Sequence, residues 1–261
     1  MATTVRQPTI AELRAATQPA DLFSRSGEHW VGRLYMRLLS PYLTRLLLRA
    51  GVAPNAVTAA MSVVGLGAAA LLGVPGLPAA VGAVALIQLQ VLLDCCDGEM
   101  ARWLDRRSTA GVYLDHLAHF LTEAALPIGL GIRADGGWGS PGGWTTLGLL
   151  VAVLVLIIKG ETLLVHAARA ETGLPPLADS PAVAAPRPRG LARARRAASR
   201  LPLYRAFLAV ELTLLALAAA IVDALAGNLT GTHVLVIALL PLAAVVAAGH
   251  LLAILASSRL R

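Results

Sequence analysis

Two short stretches hold the residue types that could do chemistry. The first is Asp94-Cys95-Cys96-Asp97-Gly98-Glu99-Met100-Ala101-Arg102; the second, eight residues later, is Gly111-Val112-Tyr113-Leu114-Asp115-His116-Leu117-Ala118-His119. On helices, Asp94 and Asp97 stand three apart and share a face, and Asp115 and His119 stand four apart and share another. A short turn can bring these faces together, and Gly98, Ala101 and Gly111 leave space where larger side chains would intrude. Three converging carboxylates repel one another unless protons or cations compensate, and hard oxygen ligands favour Mg²⁺ or Mn²⁺. Cations paired about 4 Å apart are a common device for phosphoryl chemistry, polarising the phosphate and stabilising the leaving oxygen. The alternative is a set of interhelical polar contacts, or helix-end carboxylates in water.

The elements that position these residues belong in a membrane. Of 261 residues, 57% are hydrophobic and only 4% aromatic, with mean hydropathy +0.70, outside the balance of a soluble domain. Six apolar segments, roughly 55–74, 78–96, 109–132, 144–168, 204–226 and 232–256, are each long enough for a membrane helix. The fold class expected is therefore all-α, integral membrane, with six transmembrane helices. Ionisable groups inside such spans are costly unless they serve function.

Of the 22 basic residues, 20 fall before the first segment, in 97–108, at Arg169 with 187–205, or at Arg259 and Arg261; Arg133 and Lys159 are the exceptions. The positive-inside rule then puts both termini and the acidic cluster on the cytoplasmic side. This distribution, in alternate loops, argues that the net charge of +7 meets anionic headgroups and phosphorylated substrates rather than nucleic acid. Cys95 and Cys96, the only cysteines, are neighbours and offer no disulfide framework; their helical direction points to packing. Residues 1–24 have no continuous apolar core and do not read as a signal peptide.

Ahead of the first span, residues 30–50 place Leu34, Leu38, Tyr42, Leu46 and Leu47 at near-helical spacing with Arg33, Arg37, Arg45 and Arg49 between them. This predicts an amphipathic interfacial helix with its arginines toward headgroup phosphates, or one that merely orients the chain. Residues 174–203, rich in proline and then arginine, read as a cytoplasmic linker. The organisation expected is a cytoplasmic segment 1–29, a membrane domain 30–256 containing that linker, and a tail 257–261.

With these residues in view, the chain resembles the CDP-alcohol phosphotransferases. Their motif D-x-x-D-G-x-x-A-R-x(8)-G-x-x-x-D-x-x-x-D is matched at every fixed position but the last, where His119 stands. Pro54-Asn55-Ala56-Val57-Thr58 resembles the P-N-x-x-T that opens the first span in that family, and Ala168-Arg169-Ala170-Glu171 is similar to the phosphatidylinositol-phosphate-synthase branch. The resemblance implies a homodimer that cleaves a CDP-linked donor (CDP-diacylglycerol or another CDP-alcohol), releases CMP and joins the remaining phosphoryl group to an acceptor alcohol. It further implies that Asp94 and Asp115 bridge two metals, Mg²⁺ or Mn²⁺, that Asp97 completes the first, and that Asn55, Thr58, Gly98, Ala101, Arg102 and Gly111 surround the CDP moiety.

His119 falls where the family has a metal ligand and base. Three carboxylates leave two divalent cations one negative charge short unless a substrate phosphate supplies it. A neutral imidazole can act as a base or ligate a metal, though it suits Mn²⁺ or Zn²⁺ better than Mg²⁺. Glu123 continues the stripe of Asp115 and His119 and can supply the missing carboxylate or make a buried polar contact. His116 lies off that face and reads as an ordinary interior or headgroup-level histidine. For the acceptor, Lys159 can bind substrate or pair with Glu161, and Arg169 and Arg205 can grip a phosphorylated acceptor or simply set topology. Glu211 is a further charge within a span. Two other classes stand beside the enzyme: a relative that binds the donor without turnover, and a small transporter, for which no inverted repeat speaks.

Overall fold

The computed structural model describes residues 8–18, 29–175 and 203–260. Among them there are only helices and turns. In chain order these are α1 (Ile10–Thr17), a π-helical turn (Gly32–Met36) leading into α2 (Arg37–Arg49), α3 (Pro54–Leu72), α4 (Leu77–Trp103), α5 (Thr109–Ala134), α6 (Gly143–Glu171), a 3₁₀ turn (Leu203–Phe207), α7 (Ala209–Ala226) and α8 (Thr230–Leu255). Residues 176–202 of the expected linker, with its arginine cluster at 187–200, lie outside the described residues.

Five helices, α3, α4, α6, α7 and α8, are long and apolar enough to cross a membrane. The third expected span exists as the 26-residue α5 but is not among the five; Asp115, Glu123 and Arg133 lower its hydropathy. The helices also overrun the apolar runs. α4 continues to Trp103, so the whole first acidic stretch is helical, whereas α7 starts only at Ala209 because Leu208 is extended.

The chain divides into two compact units, Met1–Ala68 with Ala85–Thr122, and Ala69–Val84 with Glu123–Arg261. In the first unit, Val57, Cys96 and Met100 form a core closed by Leu43, Leu47, Leu48, Val52, Leu92 and Leu93. α2 turns Leu43, Leu47 and Leu48 to this core but leaves a second set of apolar residues outward and a polar stripe buried. Leu34, Leu38, Tyr42 and Leu46 are all more than half exposed, while Arg37, Ser40 and Thr44 are buried. Arg37 therefore departs from the expectation that the arginines face headgroups: it neutralises a buried carboxylate, Glu99, at 3.5 Å. α1 opens with a capping box between Thr9 and Glu12, and its Arg14 donates to the Leu38 carbonyl of α2.

In the second unit, α8 packs against α6 and α7. Close backbone approach depends on glycine: a Cβ at Gly129 would fall 2.2 Å from the Ala69 carbonyl oxygen, and one at Gly148 2.4 Å from that of Pro127. Arg133, fully buried, donates to the carbonyls of Val74 and Gly76 and to Thr232 Oγ1, with Asp223 at 4.0 Å. The arginine that breaks the positive-inside pattern thus ties together turns that would otherwise leave carbonyls unpaired. Beside it, Asp135 accepts from the backbone N–H groups of Gly142, Trp144 and Thr145 and from the Thr145 hydroxyl, which closes the α6 N-terminus.

Candidate active site

Helices α4 and α5 are joined by a turn of five residues, 104–108, in which Asp105 takes a positive φ of 50°. Ser108 then starts α5, its Oγ accepting from the Gly111 N–H at 3.0 Å. The turn sets the two acidic faces side by side. His119 Nε2 lies 3.3 Å from Asp94 Oδ1 and 3.5 Å from Asp115 Oδ1. One ligand atom from each of these residues falls within 4.8 Å of the other two, and all three side chains are 34–40% exposed, so solutes can reach them.

Asp97 takes a different partner. It is 9% exposed and its Oδ2 accepts from Thr58 Oγ1 at 2.6 Å, which fastens α4 to α3. Asp97 nonetheless lines the same cleft, of about 280 Å³, close to the lower end of the range of about 300–1,000 Å³ usual for small-molecule sites. The wall brings together all the residues expected around the donor: Asn55, Thr58, Asp94, Gly98, Ala101, Arg102 and Gly111, with Asp115. Gly98 leaves its space to Arg102, whose guanidinium would sit 3.4 Å from a Cβ there. Asn55 Oδ1 occupies the corresponding space beside Gly111.

Three arginines join Arg102 in that wall that the motif does not contain: Arg37, Arg106 and Arg107. Four arginines and three aspartates in one wall make a cleft suited to a phosphorylated anion held beside a cation. Arg106 and Arg107 lie in the eight-residue gap of the motif and were legible only as members of the basic stretch 97–108. Arg37 was detectable only as one member of a polar stripe, Arg37–Ser40–Thr44, opposite the leucines of α2.

The remaining candidates each have surroundings of their own. His116 Nδ1 donates to the Val112 carbonyl of its own helix, off the acidic face. Cys95 and Cys96 are buried and form no disulfide, and Cys96 Sγ donates to the Ser40 carbonyl. Lys159, read as a substrate-binding group or a partner of Glu161, pairs with a different carboxylate. Residues two apart on a helix point about 200° apart, so Lys159 instead meets Glu123 at 2.9 Å and Glu161 meets His250 at 2.8 Å. Glu123 is accordingly tied up with an ammonium group. Arg169 is buried and donates to the carbonyls of Pro175 and Arg259, which pins the end of α6. Arg205 is half-buried on the 3₁₀ turn, and Glu211 sits in the first turn of α7, where the helix dipole favours an anion.

The sequence model of the CDP-alcohol phosphatidyltransferase family matches residues 51–257. The chain belongs to this family. No individual curated protein matches it. A CDP-alcohol phosphatidyltransferase transfers a phosphoryl-alcohol group from a CDP-alcohol donor to an alcohol in phospholipid synthesis, and the five apolar helices mark this member as an integral membrane protein. The family is generally dependent on divalent metal, and the Asp94–Asp115–His119 group fits one. Ligand atoms about 2.1 Å from a divalent cation stand about 3 Å apart at right angles, close to the 3.3 and 3.5 Å found here. The donor set differs from an all-oxygen shell by one imidazole nitrogen.

Proposed function

We propose that the protein moves a phosphatidyl or other phosphoryl-alcohol group from a CDP-linked donor to an acceptor alcohol, releasing CMP. The observation that carries this reading is the convergence of Asp94, Asp115 and His119, whose two carboxylate residues line an arginine-walled cleft. Asn55, Thr58, Gly98, Ala101, Arg102 and Gly111 hold the nucleotide, with the Arg102 fork on phosphate. Asp94, Asp97, Asp115 and His119 hold divalent metal, Mg²⁺ or Mn²⁺, in two positions. When bound, the metal polarises the donor phosphate and stabilises the departing oxygen.

The acceptor oxygen attacks the phosphorus on the alcohol side of the pyrophosphate. The bond from that phosphorus to the bridging oxygen breaks, and CMP leaves with the bridging oxygen. A neutral imidazole has one lone pair, so His119 is ligand or base in any one molecule. Its Nε2, set between two carboxylates, favours the ligand role, and Asp115, which has a second oxygen, takes the hydroxyl proton. Lys159, Arg169 and Arg205 are the candidates for a phosphorylated acceptor. In this reading α5 is the sixth span, α2 lies in the cytoplasmic interface, the cleft and both termini are cytoplasmic, and the protein works as a homodimer.

The test is CMP release in native lipid with a panel of acceptors under Mg²⁺ and Mn²⁺. Asp94→Asn and Asp115→Asn should each lower the rate by about a hundredfold or more, since even residues that only support metal ligands are worth about 10–100-fold. Failure of the reconstituted protein to bind any CDP compound refutes the reading. The exchange of aspartate for His119 favours a second one, a donor-binding relative with little turnover. It holds if both forms bind donor and only His119→Asp releases CMP.

A further inference from the structure

Within the motif stretch, Glu99 is the acidic side chain that does not face the cleft. It is wholly buried and is met by groups from ahead of the first apolar helix: Ser40 Oγ at 2.6 Å, Thr44 Oγ1 at 2.8 Å, Gln18 Nε2 at 2.8 Å and the Arg37 guanidinium at 3.5 Å. Gln18 also donates to the Arg37 carbonyl at 2.9 Å, so backbone and side chain of Arg37 are both fixed from this cluster. A carboxylate this deep needs compensation, and the hydroxyl and amide donors supply the hydrogen bonds.

Arg37 does more than neutralise. At 3.5 Å its contact with Glu99 is longer than the roughly 2.7–2.9 Å of a tight charge-assisted bond. The guanidinium carries five N–H donors in a fork, and Arg37 lines the cleft with Asp94, Asp97 and Arg102. A planar cation, steered from behind by a carboxylate and presented beside a metal-type cluster, is built to take a phosphate oxygen.

We propose that Arg37, supplied by α2 rather than by the motif, is a binding residue for the donor pyrophosphate, and that Glu99 is the positioning residue that aims it. The inference rests on the donor reading above. It makes the segment ahead of the first span part of the substrate site, linked to it through one buried carboxylate.

The test uses the full-length protein in lipid nanodiscs and calorimetric titration of CDP, CMP and Mn²⁺ separately. Arg37→Gln should weaken CDP binding by about tenfold or more, the usual worth of a hydrogen bond to a charged group. It should weaken CMP, with one phosphate fewer, by less, and leave Mn²⁺ unchanged. Arg37→Lys should recover part of the loss. Glu99→Gln keeps an acceptor oxygen for only one of Ser40 and Thr44, sets an amide N–H against the other hydroxyl and loses the charge, so it should weaken CDP several-fold. The double variant should be no weaker than Arg37→Gln alone, since Glu99 acts through Arg37. Wild-type CDP affinity in both Arg37 variants overturns the inference, as does equal loss of CDP, CMP and Mn²⁺ in both, which marks a structural role. A wild type that binds no CDP at all refutes the donor reading itself, a result distinct from either.

Discussion

His119 Nε2 lies 3.3 Å from Asp94 Oδ1 although 25 residues separate them, because the turn at 104–108 lays the first turns of α5 along the last turns of α4. The same nitrogen reaches Asp115 on its own helix at 3.5 Å. An imidazole therefore occupies the point at which the two acidic faces meet.

A nitrogen ligand should leave a spectroscopic mark. Mn²⁺ bound to the wild type is expected to show coupling to a ligand nitrogen in pulsed electron paramagnetic resonance, and His119→Asp should abolish it. The exchange should also shift affinity toward Mg²⁺ over Mn²⁺ by about tenfold or more, because imidazole suits the softer ion. A wild-type spectrum without nitrogen coupling removes His119 from the ligand set.

Whether α5 crosses the bilayer is decided by its flanking turns. If it does, Ser140 and Asn228 both face outward and Arg107 faces the cytoplasm; if it does not, all three share the inner side. Ser140→Cys and Asn228→Cys should react with a membrane-impermeant thiol reagent on intact cells, and Arg107→Cys only after permeabilisation. The three positions are exposed and the native thiols buried, so background labelling should be low. Protection of Ser140→Cys on intact cells rules out the six-span arrangement.

Much of the site was legible because its logic is local. Intervals of three and four between acidic residues define helix faces, and the small residues at 98, 101 and 111 mark where something must fit between them. What escaped is tertiary. Glu99 occupies a variable place in the motif, and its meaning depends on Gln18, Ser40 and Thr44, which only the packing of α1 and α2 brings near. α1 itself was announced by Thr9 and Glu12 in capping-box spacing but has too few apolar residues to show as a periodic run. The pairing of Lys159 followed the same rule: proximity in sequence suggested Glu161, and the helical angle gave it Glu123.

Arg133 should prove a stability residue. Removing its side chain leaves Asp223 buried without its cation and deprives the Val74 and Gly76 carbonyls of their donor. Loss of one partner of a buried pair costs about 3–5 kcal/mol, so Arg133→Met should lower the unfolding midpoint in detergent by many degrees. Arg133→Met combined with Asp223→Leu should regain part of that loss, because the orphaned charge is gone. A double variant less stable than the single one excludes charge orphaning as the cause.

Asp135 sets a pH limit on the turn between α5 and α6. Its partial burial pushes the carboxyl upward, but the Thr145 hydroxyl and the N–H groups of Thr145, Gly142 and Trp144 outweigh it and hold the group below the ordinary carboxylate range. A carboxyl whose folded value is depressed contributes stability that is complete above its unfolded value of about 3.9 and is lost as pH falls through the lower folded value. Wild-type stability should therefore decline below about pH 4 with a component that Asp135→Asn lacks. At neutral pH, Asp135→Asn should cost about 1 kcal/mol, the scale of a helix cap, measured by thermal unfolding across the pH series. Parallel wild-type and Asp135→Asn curves between neutral pH and the acid limb would show that the carboxylate charge contributes nothing to holding the start of α6.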